Sequence, residues 1–247
     1  MERSGEGWSL RPSARTIGVV YLLYFLTAFL SAFLMKGLAV PGDAAATANS
    51  ILTHETSYRL GFAADLIANA IYIAVTALFY RLFGPVNWSL SLVAAFVSLV
   101  GCAIQIFGGL LQLAPLVVLR DAQLAQVFTV EQLQTAALLS TTLHGQVFNI
   151  SLVLFAFYDL LLGYLIFRSA FLPRIIGAVL MCAGAGWLTF VWPPLAAAVS
   201  PYVLPLGAFA EIVLMLWLLA KGVNVSKWQE TTGAAGASAR SAVSRPL

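Results

Sequence analysis

TIGVVYLLYFLTAFLSAFLM, residues Thr16 to Met35, holds no charged side chain between Arg15 and Lys36. At 1.5 Å per residue such a run makes a helix of about 30 Å, the thickness of bilayer hydrocarbon. Arg3, Arg11 and Arg15 upstream, with the small residues Ala44 and Ala46 downstream, give it a superficial likeness to a secretory signal. The run is too long for a signal core of about 7 to 15 residues, and the small pair lies well past its end, so it reads as a retained anchor.

Five further stretches have the same character: Tyr58 to Phe83, Trp88 to Leu119, Gln134 to Phe167, Pro173 to Trp192 and Pro201 to Ala220. The third and fourth of the six exceed the length that a bilayer needs, so they must tilt, protrude or break. Composition agrees, at 61% hydrophobic and 9% charged, where soluble domains carry about a quarter charged residues. That excludes a soluble enzyme, a disulfide scaffold and a disordered regulator, and a net charge of +3 makes no case for nucleic acid. The expected fold is an all-α polytopic bundle of six transmembrane helices over 16–228. A cytoplasmic segment, 1–15, precedes it, and a disordered cytoplasmic tail rich in Gly, Ala and Ser, 229–247, follows.

Short cytoplasmic loops carry the excess of Lys and Arg. With the N-terminus inside, the inner side holds ten of the thirteen basic residues (Arg3, Arg11, Arg15, Arg81, Arg168, Arg174, Lys221, Lys227, Arg240 and Arg245) and the outer side holds Lys36, Arg59 and Arg120. Both termini are therefore expected in the cytoplasm. In the outer loops, Val40-Pro41-Gly42-Asp43 reads as a turn, followed by a short surface helix from Ala44 to Leu52 capped by Asp43. Asp121 to Phe128 offers a second short segment. Ser57 is the expected cap of the second span, Thr129 with Gln132 makes a capping box before the fourth, and Pro173 suits the first turn of the fifth. The charge-free segment from Trp192 to Pro205 reads as interfacial and partly re-entrant.

Ionisable side chains inside spanning segments are costly and are candidate functional groups. Three carboxylates qualify: Asp65, Asp159 and Glu211. Asp65 belongs to a helical stripe of Gly61, Asp65, Asn69, Tyr72 and Thr76 that turns toward the bundle. In the third span Ala94, Ser98, Gly101, Gln105, Gly108 and Gln112 alternate steps of four and three, a close-packing seam whose glutamines either glue helices or line a cavity. Counted from Pro201, Glu211 falls about 15 Å deep, where a charge without a cation in reach is expensive. His144 sits near the outer interface. Asp65, Asn69, Gln112, His144 and Glu211 together predict a polar pocket in the outer half that binds a ligand or exchanges a proton between His144 and a carboxylate. Asp159, nine residues before Arg168, belongs to the inner half, within reach of Arg81 or Arg174.

Other chemistries lack their residues. One intramembrane histidine is too few for bis-histidine haem, and no span holds a lysine for a retinal-type Schiff base. Cys102 and Cys182 stand apart, no HExxH or CxxC occurs, and there is no GxSxG elbow or Walker loop. No catalytic residue, metal site or cofactor is assigned. A bound lipid or quinone fits the pocket, and proton-transfer chemistry on either stays open.

Several motifs occur in order along the chain. They are Val40-Pro41-Gly42-Asp43-Ala44-Ala45-Ala46-Thr47, Tyr58-Arg59-Leu60-Gly61, Ala64-Asp65-Leu66 and Leu143-His144. Gly163-Tyr164-Leu165-Ile166-Phe167-Arg168-Ser169, Phe171-Leu172-Pro173-Arg174, Trp217-Leu218-Leu219 and Lys221-Gly222-Val223-Asn224 follow. Carrying them, the chain from about Thr16 to Trp228 resembles a bacterial family of six-helix membrane proteins known as domain of unknown function 4386. The resemblance implies a bacterial cytoplasmic membrane location and carries no activity.

Two classes of function remain. One is a small-molecule or proton-linked binding and transport bundle. The other is a non-catalytic structural, accessory or sensor subunit, whose buried polar groups only lock helices. The expected partners are the lipid bilayer and either a small molecule or another membrane subunit. A transport role requires a solvated cavity where these side chains converge, whereas a locking role requires direct interhelical pairs and no void.

Overall fold

A computed structural model describes residues 14–243, with side chains to residue 234. The expectations for Arg3, Arg11 and the rest of 1–13, for the Arg240 side chain, and for 244–247 with Arg245 lie outside the described residues. No strand occurs among those described. The helices are α1 (Ala14–Met35), α2 (Ala44–Thr53), α3 (Glu55–Phe83), α4 (Trp88–Arg120), α5 (Leu124–Val127), α6 (Val130–Arg168), α7 (Arg174–Trp187), α8 (Pro193–Ala220) and α9 (Val225–Val243); a 3-10 turn, Leu188–Val191, extends α7. The six transmembrane helices are α1, α3, α4, α6, α7 with its turn, and α8.

These six form a ring in chain order, α1 on α3, α3 on α4, α4 on α6, α6 on α7 and α7 on α8, and α8 closes it against α1. The polarity of a soluble protein is inverted. Phe33 and Tyr202 are each 76% exposed, as lipid-facing side chains are, whereas Asn69, Thr76, Ser98, Gln112, Asp159 and Glu211 are buried inside the ring.

Glycine lets two neighbours approach closely. A Cβ on Gly163 would stand 2.7 Å from the Gly177 carbonyl oxygen, and one on Gly177 would collide with the Gly163 carbonyl. Two turns further along α7, a Cβ on Gly184 would meet the Ala156 carbonyl at 2.7 Å and Asp159 Cβ at 3.1 Å. The α4 seam is present: Ala94, Ser98, Gly101, Gly108 and Gln112 are all buried, with Phe155 of α6 lying over Gly101 and Val147 over Gly108.

The turn before α2 forms as expected. Asp43 N–H donates to the Val40 carbonyl at 3.1 Å, and Gly42 supplies the φ of +78° that the third residue of this turn needs. Asp43 then caps α2 by accepting from Ala46 N–H at 2.8 Å, while Thr47 Oγ1 both accepts from and donates to the backbone of Val40. This helix packs on the bundle as well as capping the loop: Thr47, Ala48 and Ile51 share one face and are buried, with α4 and α6 beside them. Thr129 and Gln132 form the capping box of α6, and Asp121 closes a short turn into α5. Ser57 caps nothing. Helix α3 starts earlier, at Glu55, whose carboxylate pairs with Arg59 one turn on and with Arg120 at the end of α4.

Two segments differ from the sequence reading. Trp192 to Pro205 is regular rather than a broken segment: from Pro193 onward it is the first turns of α8. Pro193 and Pro194 fill first-turn positions, where no intrahelical N–H bond is lost, and Pro201 and Pro205 are accommodated inside the helix. After Trp228 the backbone is helical to Val243 rather than disordered. Asn224 Oδ1 accepts from Lys227 N–H at 3.2 Å at its start, and Trp228 Nε1 donates to the Leu82 carbonyl at 3.3 Å. Alanine supplies the helix propensity.

Candidate functional site

Two chambers that share a wall hold part of the polar interior. The smaller, about 30 Å³, is lined by Asp65, Gln105, Gly108, His144, Val147 and Phe148. It has room for a single water. His144 Nδ1 lies 3.0 Å from the Gly108 carbonyl oxygen. A carbonyl only accepts, so Nδ1 carries a proton in this bond. Asn69 Nδ2 bonds back to its own helix at the Asp65 carbonyl, 3.0 Å, and lies 3.4 Å from Asp65 Oδ2.

The larger chamber holds about 200 Å³ and is lined by Tyr24 and Phe25 of α1, Tyr72 of α3, Gln105 of α4, Phe148, Leu152 and Phe155 of α6, Trp187 of α7, and Leu204, Ala208 and Glu211 of α8. Gln105 and Phe148 belong to both chambers. Trp187 is held by two features. Its Nε1 donates to the Val203 carbonyl at 3.0 Å, and its ring lies on Gly207, where any side chain would collide with it.

Glu211 and Asp159 are neighbours, 6% and 1% exposed, in a layer with Tyr21, Tyr24, Tyr72 and Tyr158. The Tyr21 hydroxyl is directed at the Glu211 carboxyl. Both Asp159 oxygens lack a hydrogen-bond partner among the described residues. Nearby, the Thr76 and Ser98 hydroxyls bond to each other at 2.7 Å, joining α3 to α4.

This arrangement moves Glu211 away from its expected company. Counting its depth from Pro201 put it in the outer half with His144, but α8 begins at Pro193, so Glu211 lies nine residues from the far end of the helix, level with Asp159. Asp159 in turn faces the interior and pairs with neither Arg81 nor Arg174; the Arg174 guanidinium lies over the Phe167 ring, 5.8 Å from its centroid. Of the five pocket residues, Asp65 and His144 meet in the small chamber, Asn69 holds Asp65, and Glu211 lines the large one. Gln112 lines neither. Its backbone carbonyl accepts from the Tyr58 hydroxyl near the α2 end, and its side-chain oxygen is buried without a partner.

The chain matches the model of the family described as Domain of unknown function (DUF4386) over residues 16–222. It belongs to the DUF4386 family. The matched region contains nearly all of the six-helix ring and ends at Gly222, before α9. An uncharacterized protein of Archaeoglobus fulgidus is 27% identical to this DUF4386 chain over 84 residues, 33% of the chain and 49% of the relative. The chain therefore spans about half the length of that curated relative. No solved structure matches.

Sequence reasoning about this DUF4386 member passed over Tyr21, Tyr24, Tyr158 and Trp187. Each stands in an apolar run, where an aromatic ring reads as lipid contact or packing. The available signal was the position of Tyr158 beside Asp159, and of Tyr21 and Tyr24 three apart on one face of α1.

Proposed function

We propose that this protein is a proton-linked binding and transport bundle of the bacterial cytoplasmic membrane, with both termini in the cytoplasm, that takes a small molecule into the chamber in front of Glu211. The reading rests on one observation: two neighbouring buried acids have no basic partner among the described residues, and one of them faces a cavity. Charged groups in lipid-spanning helices are costly, and Asp159, whose oxygens have no hydrogen-bond partner among the described residues, adds nothing to holding the ring together. A pair of adjacent acids that cannot both be charged cheaply is suited to taking up and giving off a proton. The orientation is supported by Arg15, Arg81, Arg168, Arg174 and Lys221, which share the end of the ring where α1 begins and α8 ends.

The locking role accounts better for the small chamber, where His144 is bonded across helices to Gly108 and there is space for one water only. The two readings thus divide the interior, locking toward α2 and exchange around Glu211.

Infrared spectroscopy of the protein in liposomes tests the proposal by following the protonated-carboxyl band as bulk pH is changed. A pH-responsive band that disappears in Glu211→Gln or Asp159→Asn is the expected result. A band insensitive to both substitutions shows that these acids do not exchange protons with water, and the proposal is then wrong.

A further inference from the structure

We infer that the large chamber is a binding site for a compact organic ammonium ion, which takes the place of a proton at Glu211. The inference deepens the proposed function and rests on it for the proton.

The wall of the chamber carries the argument. Six of its residues are aromatic (Tyr24, Phe25, Tyr72, Phe148, Phe155 and Trp187) and its one carboxyl is that of Glu211. The rings meet at angles: Tyr24 and Tyr72 centroids are 4.7 Å apart at 55°, and Tyr72 and Phe155 are 5.4 Å apart at 86°. Rings set at such angles wall the chamber on more than one side. Aromatic faces attract cations through the ring quadrupole, most strongly when water is excluded, and a quaternary ammonium ion is the group that aromatic boxes recognise. An anion would meet the electron-rich faces and a carboxyl, and a neutral molecule would leave Glu211 without a partner. Size sets a further limit. About 200 Å³ is below the range of about 300 to 1,000 Å³ usual for drug-sized ligands, so the ion is compact.

A groove adjoins the site. Leu204 lines the chamber and also a groove of about 740 Å³ on the outer side of the ring, where Gln146 and Asn149 of α6 face Ser200 of α8. Amide and hydroxyl groups there face an otherwise apolar groove, a surface suited to an amphiphilic cation arriving from the bilayer.

Charge balance fixes the coupling. When the ammonium ion binds, the proton held by the Glu211 carboxyl leaves to water, so the site exchanges one positive charge for another. Affinity therefore rises with pH. The titratable groups that face Glu211 are Tyr21 and Tyr24 of α1, Tyr72 of α3, and Tyr158 and Asp159 of α6, with Cys102 of α4 near Tyr24 and Tyr158; α7 contributes Trp187, which does not titrate. None of them is cationic.

Tetramethylammonium is the probe, measured by equilibrium binding of the radiolabelled ion to the full chain in nanodiscs. tert-Butanol supplies the same bulk without charge and pivalate supplies it with the opposite charge. Tetramethylammonium is expected to bind at least tenfold more tightly than either, more tightly as pH rises, and at least tenfold more weakly to Glu211→Gln. Tyr24→Leu leaves every charge in place and should also weaken it, which keeps the test open should Glu211→Gln fail to fold. Equal binding of the neutral or anionic analogue, or binding indifferent to both substitutions, overturns the inference. The proton reading is judged separately: a titrating carboxyl with no tetramethylammonium binding removes the cation site alone, and cation binding that is independent of pH, with a silent carboxyl band, removes the proton linkage alone.

Discussion

Asp159 and Glu211 each stand nine residues before the end of their own helix, α6 and α8, and these two helices run in the same direction through the membrane. Nine residues at 1.5 Å place both carboxyls about 13 Å from one end of the ring. Their shared level makes them neighbours, although 52 positions separate them in the chain.

Asp159→Leu is expected to raise stability. The aspartate is 1% exposed and neither oxygen has a partner among the described residues. Replacing an unsatisfied buried polar group by an apolar one of similar volume removes a penalty of about 1 to 3 kcal/mol. Thermal melting in detergent should show a higher midpoint together with loss of the pH-responsive carboxyl band; a lower midpoint would show that Asp159 is held by contacts that its surroundings do not suggest.

Gly177→Ala should destabilise the ring by about 1 to 3 kcal/mol through overpacking. The added methyl collides with the Gly163 carbonyl, and α6 cannot yield there without losing Gly184 against Ala156 further along. Gly145→Ala is the matched control on α6. Nothing stands within 4 Å of its Cβ position, and the gain in helix propensity is about 1 kcal/mol. Opposite shifts in melting temperature are the expected outcome.

His144→Leu removes the bond to Gly108 and should cost about 1 kcal/mol of stability. It should leave tetramethylammonium binding unchanged, because His144 lines only the smaller chamber. A marked loss of affinity would show that the two chambers act as one.

Leu204→Trp enlarges the side chain that stands between the outer groove and the chamber. Slower association of tetramethylammonium, followed over time in nanodiscs, is expected. An unchanged association rate would place the route elsewhere.

Most of the fold was legible because bilayer thickness dictates helix length, and because caps and turns are chemically local. The uncharged run from Thr16 to Met35, the Pro41-Gly42 turn, the Asp43 cap and the Thr129 with Gln132 box each need only a few adjacent residues. The site was less legible. Proline signals a break as readily as a first turn, so Trp192 to Pro205 did not reveal that α8 starts at Pro193, eight residues before the Pro201 from which the depth of Glu211 is counted. The approach of Asp159 to Glu211 depends on how α6, α7 and α8 stack, which no local pattern encodes. Tyrosines within apolar runs gave little sign that they would gather around two acids.

Because every helix of the ring lies against the one before it in the chain, each can dock on a partner already inserted as synthesis proceeds. Within the ring, the last step, α8 meeting α1, joins its first and last spans. The binding chamber draws on both of those helices, so the nascent protein has no complete site until its final span is in place.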